Sequence, residues 1–274
     1  MHLPTLSSYL SDLPGDGLFS VWTGSLEGEP ALTLDADSQH YAASLMKVPV
    51  VLAAYRRADE GSLDLGAQVE IRNVFSSVHD GSDFSLSADD DSDPQTWQRM
   101  GTRVALRWLA NRAIVVSGNL ATNLLLDAVG FPAVDEALKV TGTTHTQVVR
   151  GIEDVDARDA GLHNLVTAAD LAGMLREVAA HRAASSESCD EVLATLAAQQ
   201  INDCIPPGLP PGTRVAHKTG WVDGVAHDAA IVYPDDSPPY VLSVCTTSTL
   251  SDVQAREWIA GAAAASWADR GAFQ

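Results

Sequence analysis

Strand-like segments lie at both ends of the chain, and a long helical block separates them. Residues 18–23 and 31–34 are short β-type runs joined by a turn rich in Gly and Pro, so they predict a hairpin. Three more runs follow near the C-terminus, at residues 215–221, 226–233 and 240–246. The simplest fold for this order places both groups in one sheet. We therefore predict an α+β fold, in which a five-stranded antiparallel sheet from both chain ends is flanked by helices and carries an inserted all-α lobe.

The helical segments show apolar residues at three- and four-residue intervals. Residues 44–59 are very apolar and predict a buried helix, in which Pro49 is tolerated because it lies near the first turn. Further helices are predicted over residues 103–116, 120–129, 133–140, 168–180 and 253–268. A chain of 274 residues can form one domain with two lobes. We place the sheet lobe at residues 1–61 and 206–274 and the helical lobe at 62–205, with a site where the lobes meet.

The charge balance excludes two classes of partner. The chain has 36 acidic and 17 basic residues, for a formal net charge of −19. Nucleic acids and anionic membrane surfaces are bound through clustered Lys and Arg, so we expect neither as a partner. The run of Asp89, Asp90, Asp91 and Asp93 lacks the ligand spacing of a calcium loop. We interpret it as part of a long, solvated surface insertion over residues 73–96.

We expect no metal and no other cofactor, because no set of His or Cys has ligand spacing. Cys189, Cys204 and Cys245 are odd in number and far apart, which indicates reduced, small apolar residues rather than disulfides. No apolar stretch is long enough to span a membrane, and the N-terminus shows no signal peptide. These observations predict a cytoplasmic monomer that acts on a small molecule, exported only if the sequence is part of a longer precursor.

Lysine is rare in this chain. Arg accounts for 14 of the 17 basic residues, which leaves only Lys47, Lys139 and Lys218. Lys47 ends an S-x-x-K element that begins at Ser44, and residues three apart share a helix face, so the hydroxyl and the amine can touch. A serine hydroxyl is a weak nucleophile until a base takes its proton, and a desolvated, neutral lysine can be that base. Lys139 is interpreted as an ordinary surface residue.

A second element, Ser117-Gly118-Asn119, lies in a turn between two predicted helices. A second hydroxyl there can pass a proton to a leaving group, and the Asn119 amide can hold both Lys47 and a substrate amide. The alternative for Ser117 is a helix N-cap.

A third element, Lys218-Thr219-Gly220, lies in a predicted strand. It presents a cation and a hydroxyl on an edge that a substrate can approach. Gly220 removes the side chain where a ligand backbone must lie.

The order of these elements, S-x-x-K, S-x-N and K-T-G, resembles the serine β-lactamase and penicillin-binding protein superfamily, and most closely the class A β-lactamases. The resemblance extends over nearly the whole chain. Residues 19–22, 43–52, 119–126 and 215–232 are similar to their counterparts there. Together the three motifs are specific for the fold and less specific for the substrate.

The resemblance implies a role for each motif residue in a two-step acyl transfer. Ser44 would be the acylated nucleophile, and Lys47 its general base or proton relay. The other implied roles are proton transfer to the leaving nitrogen by Ser117, orientation of substrate and lysine by Asn119, binding of the substrate carboxylate by Lys218 and Thr219, and an oxyanion hole from the backbone N–H groups of Ser44 and Trp221.

Hydrolysis of the acyl-enzyme requires a further group, which in class A enzymes is a Glu on an Ω-shaped loop. Glu153 lies about where that loop is expected and follows Arg150. The family's Glu-x-x-Leu-Asn pattern is not met, so Glu153 is either this base or a solvated loop carboxylate. Asp154 and Asp156 are weaker candidates, and we interpret residues 162–164, Leu-His-Asn, as the start of the next helix.

Two further positions depart from the family. Gly118 stands where class A enzymes usually carry Asp, and the strand after Gly220 offers no Arg, since the next Arg after Arg214 is Arg256. His227 could stand in for that guanidinium, but an ordinary strand residue is the simpler interpretation. His163 and His217 receive no role. These gaps weaken the case for efficient penicillin turnover without affecting the predicted fold.

The leading hypothesis is a serine hydrolase of class A β-lactamase type that opens a β-lactam ring through an acyl-enzyme at Ser44. A penicillin-binding protein-like DD-peptidase would use the same nucleophile. So would an intracellular esterase or amidase, which the missing export signal favours. A non-catalytic binding module is disfavoured because the side chains of all three motifs are retained together.

Overall fold

A computed structural model of the protein describes residues 2–273. Its helices are α1 Pro4–Leu10, α2 Lys47–Asp59, α3 Pro94–Trp97, α4 Leu106–Val115, α5 Asn119–Val129, α6 Phe131–Val140, α7 Val155–Asp159, α8 Ala168–Ala179, α9 Ser186–Ala197 and α10 Asp252–Ala268. Its strands are β1 Gly17–Ser25, β2 Leu32–Leu34, β3 His40–Tyr41, β4 Gln68–Glu70, β5 Phe75–Ser76, β6 Asp83–Phe84, β7 Arg103–Ala105, β8 Leu165–Val166, β9 Arg214–Val222, β10 Val225–Tyr233 and β11 Tyr240–Ser248. Short 3₁₀ helices cover Ala43–Met46, Ala88–Asp90, Pro206–Gly208 and Arg270–Ala272.

The α+β fold with a five-stranded antiparallel sheet is confirmed. The strand order is β2-β1-β11-β10-β9, and every neighbouring pair is antiparallel. β1 pairs with β11 from Gly17 opposite Ser248 to Ser25 opposite Tyr240, so the first long strand of the chain lies beside the last. β9 is an edge strand, which leaves one side of its backbone open to the segment that carries Ser44.

Side chains of the central strands alternate between two apolar cores. Ala229 and Ile231 of β10 face the core that contains α2, α4, α5 and α8. Ala230 and Val232, their neighbours in sequence, face the core that contains α1 and α10. The alternation follows from the two-residue period of a strand. Both faces of the sheet are therefore covered by helices.

Helix α2 occupies the centre of the helical side. All nine residues from Lys47 to Tyr55 are buried, as the apolar sequence predicts. Pro49 is the third residue of α2, where a missing N–H costs no helical hydrogen bond. The sequence predicts that the helix begins at residue 44, but α2 begins three residues later, at Lys47. Residues 43–46, which include Ser44, form a 3₁₀ turn instead.

The interpretation of residues 73–96 as a solvated insertion is wrong in its last part. Asp93 and Thr96 have 0% exposure, and Asp93 caps α3 by accepting from the N–H groups of Gln95 and Thr96. The burial arises from Arg112, whose guanidinium forms an ion pair with the Asp93 carboxylate. Only the earlier part of the acidic run, including Asp89, is exposed.

Other elements differ from the sequence prediction in detail. Residues 103–105 form strand β7 beside β4 rather than the first turn of a helix, and α1 and α9 were not predicted. The helical block also contains short two-stranded pairs. Cys189, Cys204 and Cys245 are buried free thiols. Within residues 2–273, no helix is long and apolar enough to cross a membrane. The boundary between the two lobes stays a prediction.

Candidate active site

Ser44 lies at the wall of a cavity of about 670 Å³. The preceding Ala43 has a φ of 43°, in the left-handed region, and this kink starts the 3₁₀ turn of residues 43–46. The turn is held by the N–H of Ala42, which donates to the backbone oxygen of Asn164 at 2.9 Å. The Ser44 hydroxyl has no hydrogen-bond partner among residues 2–273, so it is free to meet a ligand.

Lys47 is fully buried one turn after Ser44. Its Nζ donates to the backbone oxygen of Ser117 at 2.6 Å, to Ser117 Oγ at 3.1 Å and to Asn119 Oδ1 at 2.8 Å. These contacts use the donors of the ammonium group, so the hydroxyl–amine contact with Ser44 expected from the helix face is not made in this state. Burial, reinforced by the charge of Lys218, lowers the pKa of Lys47 well below its ordinary value. The amine is therefore suited to carry a lone pair.

Ser117 connects the two lysines. Its Oγ lies 3.1 Å from Lys47 Nζ and 3.0 Å from Lys218 Nζ. Its φ of 57° is left-handed, a conformation that costs a non-glycine residue about 1–2 kcal/mol. The alternative of a helix N-cap is wrong, because the N-cap of α5 is Gly118 and the Ser117 hydroxyl points to the lysines instead.

Asn119 is the first residue of α5 and lines the cavity. Its Oδ1 accepts from Lys47, and its Nδ2 donates to the backbone oxygen of Asp90 at 3.0 Å. Its own N–H donates to the Asp91 carboxylate at 2.9 Å. The side chain is thus fixed between the central lysine and the acidic run.

The third motif lies on the edge strand β9. Lys218 Nζ donates to Ser117 Oγ and, at 2.6 Å, to the backbone oxygen of Thr219. Burial lowers the pKa of Lys218 to about 7, against the partly opposing charge of Asp228. The Thr219 hydroxyl is buried and has no hydrogen-bond partner among residues 2–273. Lys218 thus donates a hydrogen bond to Ser117, and the hydroxyl of Thr219 remains available to a ligand.

Gly220 brings β9 against the backbone of the 3₁₀ turn. A Cβ at this position would lie 2.9 Å from the Ser44 nitrogen and 2.6 Å from Leu45 Cδ2, closer than real Cβ atoms approach. The glycine is therefore required for the strand to reach Ser44. Trp221, the next residue, lines the same cavity.

The guanidinium of Arg256 lies over the ring of Trp221. It is 5.4 Å from the centroid of that ring and forms an ion pair with Asp203. His227 is buried, donates from Nε2 to the backbone oxygen of Tyr41 at 2.9 Å and accepts from the N–H of Thr246 at Nδ1. Both of its nitrogens are engaged in the sheet, as expected for an ordinary strand residue.

Glu153 lies on the cavity wall with Ser44. Its φ of 62° is left-handed, and its Oε2 accepts from the N–H of Ser87 at 2.8 Å. Its Oε1 is buried and has no partner among residues 2–273. Burial, assisted by the charges of Asp90 and Asp91, raises the pKa of Glu153. A buried carboxylate oxygen without a donor is not what a solvated loop carboxylate shows.

The two weaker acidic candidates are committed elsewhere. Asp154 is buried and accepts from Ser77 Oγ at 2.7 Å and from the N–H of Val78 at 3.1 Å, and it also caps α7. Asp156 is exposed, and its carboxylate accepts from Ser82 Oγ at 3.3 Å. Neither carboxylate is free to face Ser44.

Sequence reasoning missed the roles of Asn164 and Arg150 in this wall. Asn164 precedes β8 rather than starting a helix, and its side chain binds the backbone N–H groups of Val149 and Arg150 and the oxygen of Arg150. The buried Arg150 guanidinium donates to the Tyr41 hydroxyl at 2.8 Å. Both residues line the cavity. Tyr41 lies 109 residues from Arg150, and the backbone groups bound by Asn164 lie 14 and 15 residues from it, so no local pattern predicts these contacts.

His217 also has partners that the sequence did not reveal. Its Nδ1 lies 2.9 Å from an Asp228 oxygen and its Nε2 lies 2.9 Å from Asn202 Oδ1, all behind the third motif. His163 carries no side-chain contact relevant to the cavity. Within residues 2–273, no group of three or more His, Cys, Asp or Glu side chains is placed to hold a metal ion.

Comparisons with known proteins identify the family and the fold. The family model described as the β-lactamase enzyme family matches residues 6–269. A β-lactamase from Bacillus licheniformis is 28% identical over 165 residues, which are 59% of this chain, so the match spans about half (54%) of that relative's length. The crystal structure of a β-lactamase from Sphaerobacter thermophilus superposes with a TM-score of 0.82 at 24% identity, covering 100% of both chains. The structure of PBP-A superposes with a TM-score of 0.79 at 22% identity, covering 96% of this chain and 93% of that one. At these identities the structural likeness shows the fold, and the family model, matching nearly the whole length, shows that the chain belongs to the β-lactamase enzyme family.

Proposed function

We propose that the protein is a serine hydrolase of class A β-lactamase type that opens β-lactam amide bonds through an acyl-enzyme at Ser44. The observation that carries the proposal is the convergence of all three motifs. Lys47, Ser117 and Lys218 form one hydrogen-bonded chain, while the hydroxyl of Ser44 is open to the cavity. An activated nucleophile needs a nearby base and a route for the proton, and this chain offers both.

In the acylation step, Ser44 Oγ bonds to the carbonyl carbon of the substrate and gives its proton to the neutral amine of Lys47. The proton then passes to Ser117 Oγ, which is hydrogen-bonded to Lys47, and from there to the ring nitrogen as the C–N bond breaks. The oxyanion is stabilised by the backbone N–H groups of Ser44 and Trp221, a type of interaction worth about 3–4 kcal/mol per donor. Gly220 supports this assignment because it allows β9 to approach the Ser44 nitrogen.

Substrate binding falls to Asn119, Lys218 and Thr219. The uncommitted hydroxyl of Thr219 and the charged form of Lys218 are suited to a substrate carboxylate. Asn119 lines the cavity and would orient the substrate amide while it holds Lys47. We assign no resident cofactor, and we treat the protein as a monomer.

In the deacylation step, Glu153 takes a proton from the water that attacks the acyl carbonyl. The ester bond to Ser44 Oγ breaks, and the proton that Glu153 took from the water is returned to that oxygen, which restores both groups. The proposal rests on the position of Glu153 in the cavity wall of Ser44 and on its uncommitted Oε1. A raised pKa makes this carboxylate a stronger base than an exposed Glu, as long as it is ionised.

A DD-peptidase of penicillin-binding protein type, with a slowly hydrolysed acyl-enzyme, is the second candidate. One observation favours it. Asn164, the Asn that lines the cavity near Glu153, uses its side chain to hold the backbone of Val149 and Arg150, so it is not free to position a water. An esterase or amidase on the same nucleophile differs only in its substrate.

The test is incubation with a chromogenic cephalosporin and a fluorescent penicillin, followed by intact mass. We expect rapid colour and no lasting adduct in the wild type, and no colour and no adduct in Ser44→Ala. A stable adduct that Ser44→Ala abolishes identifies the penicillin-binding type. No colour and no adduct would refute both β-lactam functions and leave the esterase and the non-catalytic binding module.

A further inference from the structure

Gly118, the middle residue of the second motif, has no conformational need for glycine. Its φ of −62° and ψ of 124° are extended values that any residue adopts. What excludes a side chain is a neighbour from another segment. A Cβ at Gly118 would lie 2.9 Å from both the Cβ and Oδ2 of Asp93. Since a Cβ cannot swing away as a side-chain tip can, residues 93 and 118 exclude each other's side chains.

The Asp93 carboxylate is tied to the same turn through Arg112. Arg112 Nε donates to Asp93 Oδ2 at 3.0 Å, and its Nη2 donates to Oδ1. The backbone oxygen of Arg112 accepts from the N–H of Gly118 at 3.1 Å. Arg112 therefore connects Asp93 to Gly118, the first through its side chain and the second through its backbone oxygen. The carboxylate fills the space that a side chain of residue 118 would take.

The residues before Asp93 bind the same turn. The Asp91 carboxylate accepts from the N–H groups of Asn119 and Leu120, both at 2.9 Å. Ser92 Oγ donates to the backbone oxygen of Val116 at 2.7 Å. We call residues 90–93 the acidic clamp. It contacts nearly every residue of the turn on which Ser117 and Asn119 lie.

The turn needs such a clamp. Ser117 holds a left-handed φ, which persists only where the surroundings impose it. Ser117 and Asn119 are also the partners of Lys47, so a small shift of the turn moves all three polar contacts of the buried amine. The negative charges of Asp91 and Asp93 act on Lys47 as well and partly offset the effect of its burial.

We propose that Asp93 is a positioning residue for Ser117 and Asn119, and that it supplies to the second motif, from outside it, a carboxylate that residue 118 lacks. Asp93 acts through Ser117 and Lys47 on Ser44, so this inference rests on the proposed function. Gly118 and Asp93 are a compensating pair. Exchanging the two residues moves the carboxylate from position 93 to position 118, whose Cβ would lie next to the present Asp93 side chain. We expect the carboxylate to pair with Arg112 from there as well.

The test compares wild type, Asp93→Gly, Gly118→Asp and the double exchange Asp93→Gly/Gly118→Asp. The readout is the rate at which a fluorophosphonate probe labels Ser44, followed by intact mass. Each single variant should label at least about tenfold more slowly, because a misplaced reacting group costs rate steeply. The double variant should return to within about threefold of wild type, since coupled residues are not additive. Asp89→Gly, a change at an exposed Asp in the same segment, is the matched control and should label normally.

A pH profile separates positioning from mere stability. Asp93→Asn keeps the volume and removes the charge, so the pKa of Lys47 falls and the acid limb of the labelling rate moves to lower pH. Asp89→Asn should leave that limb in place.

Four outcomes overturn the inference. A double variant no faster than the slower single variant shows that the two positions do not compensate. An unmoved acid limb in Asp93→Asn shows that the carboxylate does not act on Lys47. If Ser44 of the wild type takes no label, the proposed nucleophile and this inference are refuted together. If the variants at positions 93 and 118 label as fast as the wild type, only the inference is refuted.

Discussion

At the scale of single residues, the centre of the site is one hydroxyl between two buried lysines. Ser117 Oγ lies 3.1 Å from Lys47 Nζ and 3.0 Å from Lys218 Nζ. Two ammonium groups that contact the same hydroxyl repel each other where water cannot screen their charges. Burial lowers the pKa of both amines, and the charge of Lys218 lowers that of Lys47 further. One neutral amine is what a general base requires.

Lys47→Arg tests this at the residue that would be the base. A guanidinium does not lose its proton in a protein, so the variant can still donate hydrogen bonds but cannot act as the base. We expect the acylation rate of Ser44 to fall about 10²- to 10⁴-fold, the contribution typical of general base catalysis. Stopped-flow acylation by a fluorescent penicillin measures it. Lys139→Arg, at an exposed residue paired with Glu136, is the control. An active Lys47→Arg would contradict the role of Lys47.

At the scale of elements, each motif lies on a different piece of secondary structure. Ser44 comes from a 3₁₀ turn, Ser117 from the turn between α4 and α5, and Lys218 from the edge strand β9. The close contact between β9 and the 3₁₀ turn depends on Gly220. The distance between the strand and the nucleophile is therefore set by the absence of a side chain at residue 220.

Gly220→Ala is expected to separate these two elements. The new Cβ would lie 2.9 Å from the Ser44 nitrogen and 2.6 Å from Leu45 Cδ2, so the strand or the turn must move. Overpacking of this kind costs about 1–3 kcal/mol of stability. We also expect at least about a tenfold loss of hydrolysis, because the oxyanion donors separate. Thermal unfolding and cephalosporin turnover measure the two effects. Gly271→Ala, where no atom lies within 4 Å, should change neither, and an unaffected Gly220→Ala would contradict the contact.

The elements show what a sequence can predict. The sheet and the motifs follow from local patterns, because alternation and short spacings are visible within a few residues. The inward turn of Asp91 and Asp93 does not, because the partners Asn119 and Arg112 lie about 20 to 30 residues away and no local pattern connects them to the acidic run. The left-handed φ of Ser117 is likewise imposed by contacts from other segments.

At the scale of the whole molecule, two buried histidines join the sheet to the segment that leads to the nucleophile. His40 of β3 lies 2.8 Å from Thr247 Oγ1 and 2.9 Å from Ser20 Oγ, and its ring packs edge-on against His227 with 5.4 Å between the centroids. Burial, with a smaller effect of His227, lowers the pKa of His40 to about 3, and burial lowers that of His227 to about 4. The folded protein therefore holds both rings neutral.

The histidine pair makes the fold sensitive to acid. The ordinary pKa of an unfolded His is 6.5, so just below that pH the two histidines bind protons in the unfolded chain but not in the folded chain. Stability is present in full above pH 6.5 and falls as the pH drops from 6.5 toward 4. We expect His40→Gln to lose less thermal stability over that range than the wild type. His79→Gln, at an exposed His, should behave as the wild type does, and equal losses in all three proteins would contradict the assignment.

The central claim is that Ser44 carries the acyl group and that Glu153 removes it. The most direct measurement is mass spectrometry of the wild type, Glu153→Gln and Ser44→Ala after exposure to penicillin G. The intact mass counts the acyl groups, and peptide mapping locates them. We predict that Glu153→Gln accumulates one penicilloyl group on the peptide that contains Ser44, that the wild type shows none at steady state, and that Ser44→Ala shows none at any time. An adduct on another residue, or equal hydrolysis by Glu153→Gln and wild type, would contradict the account.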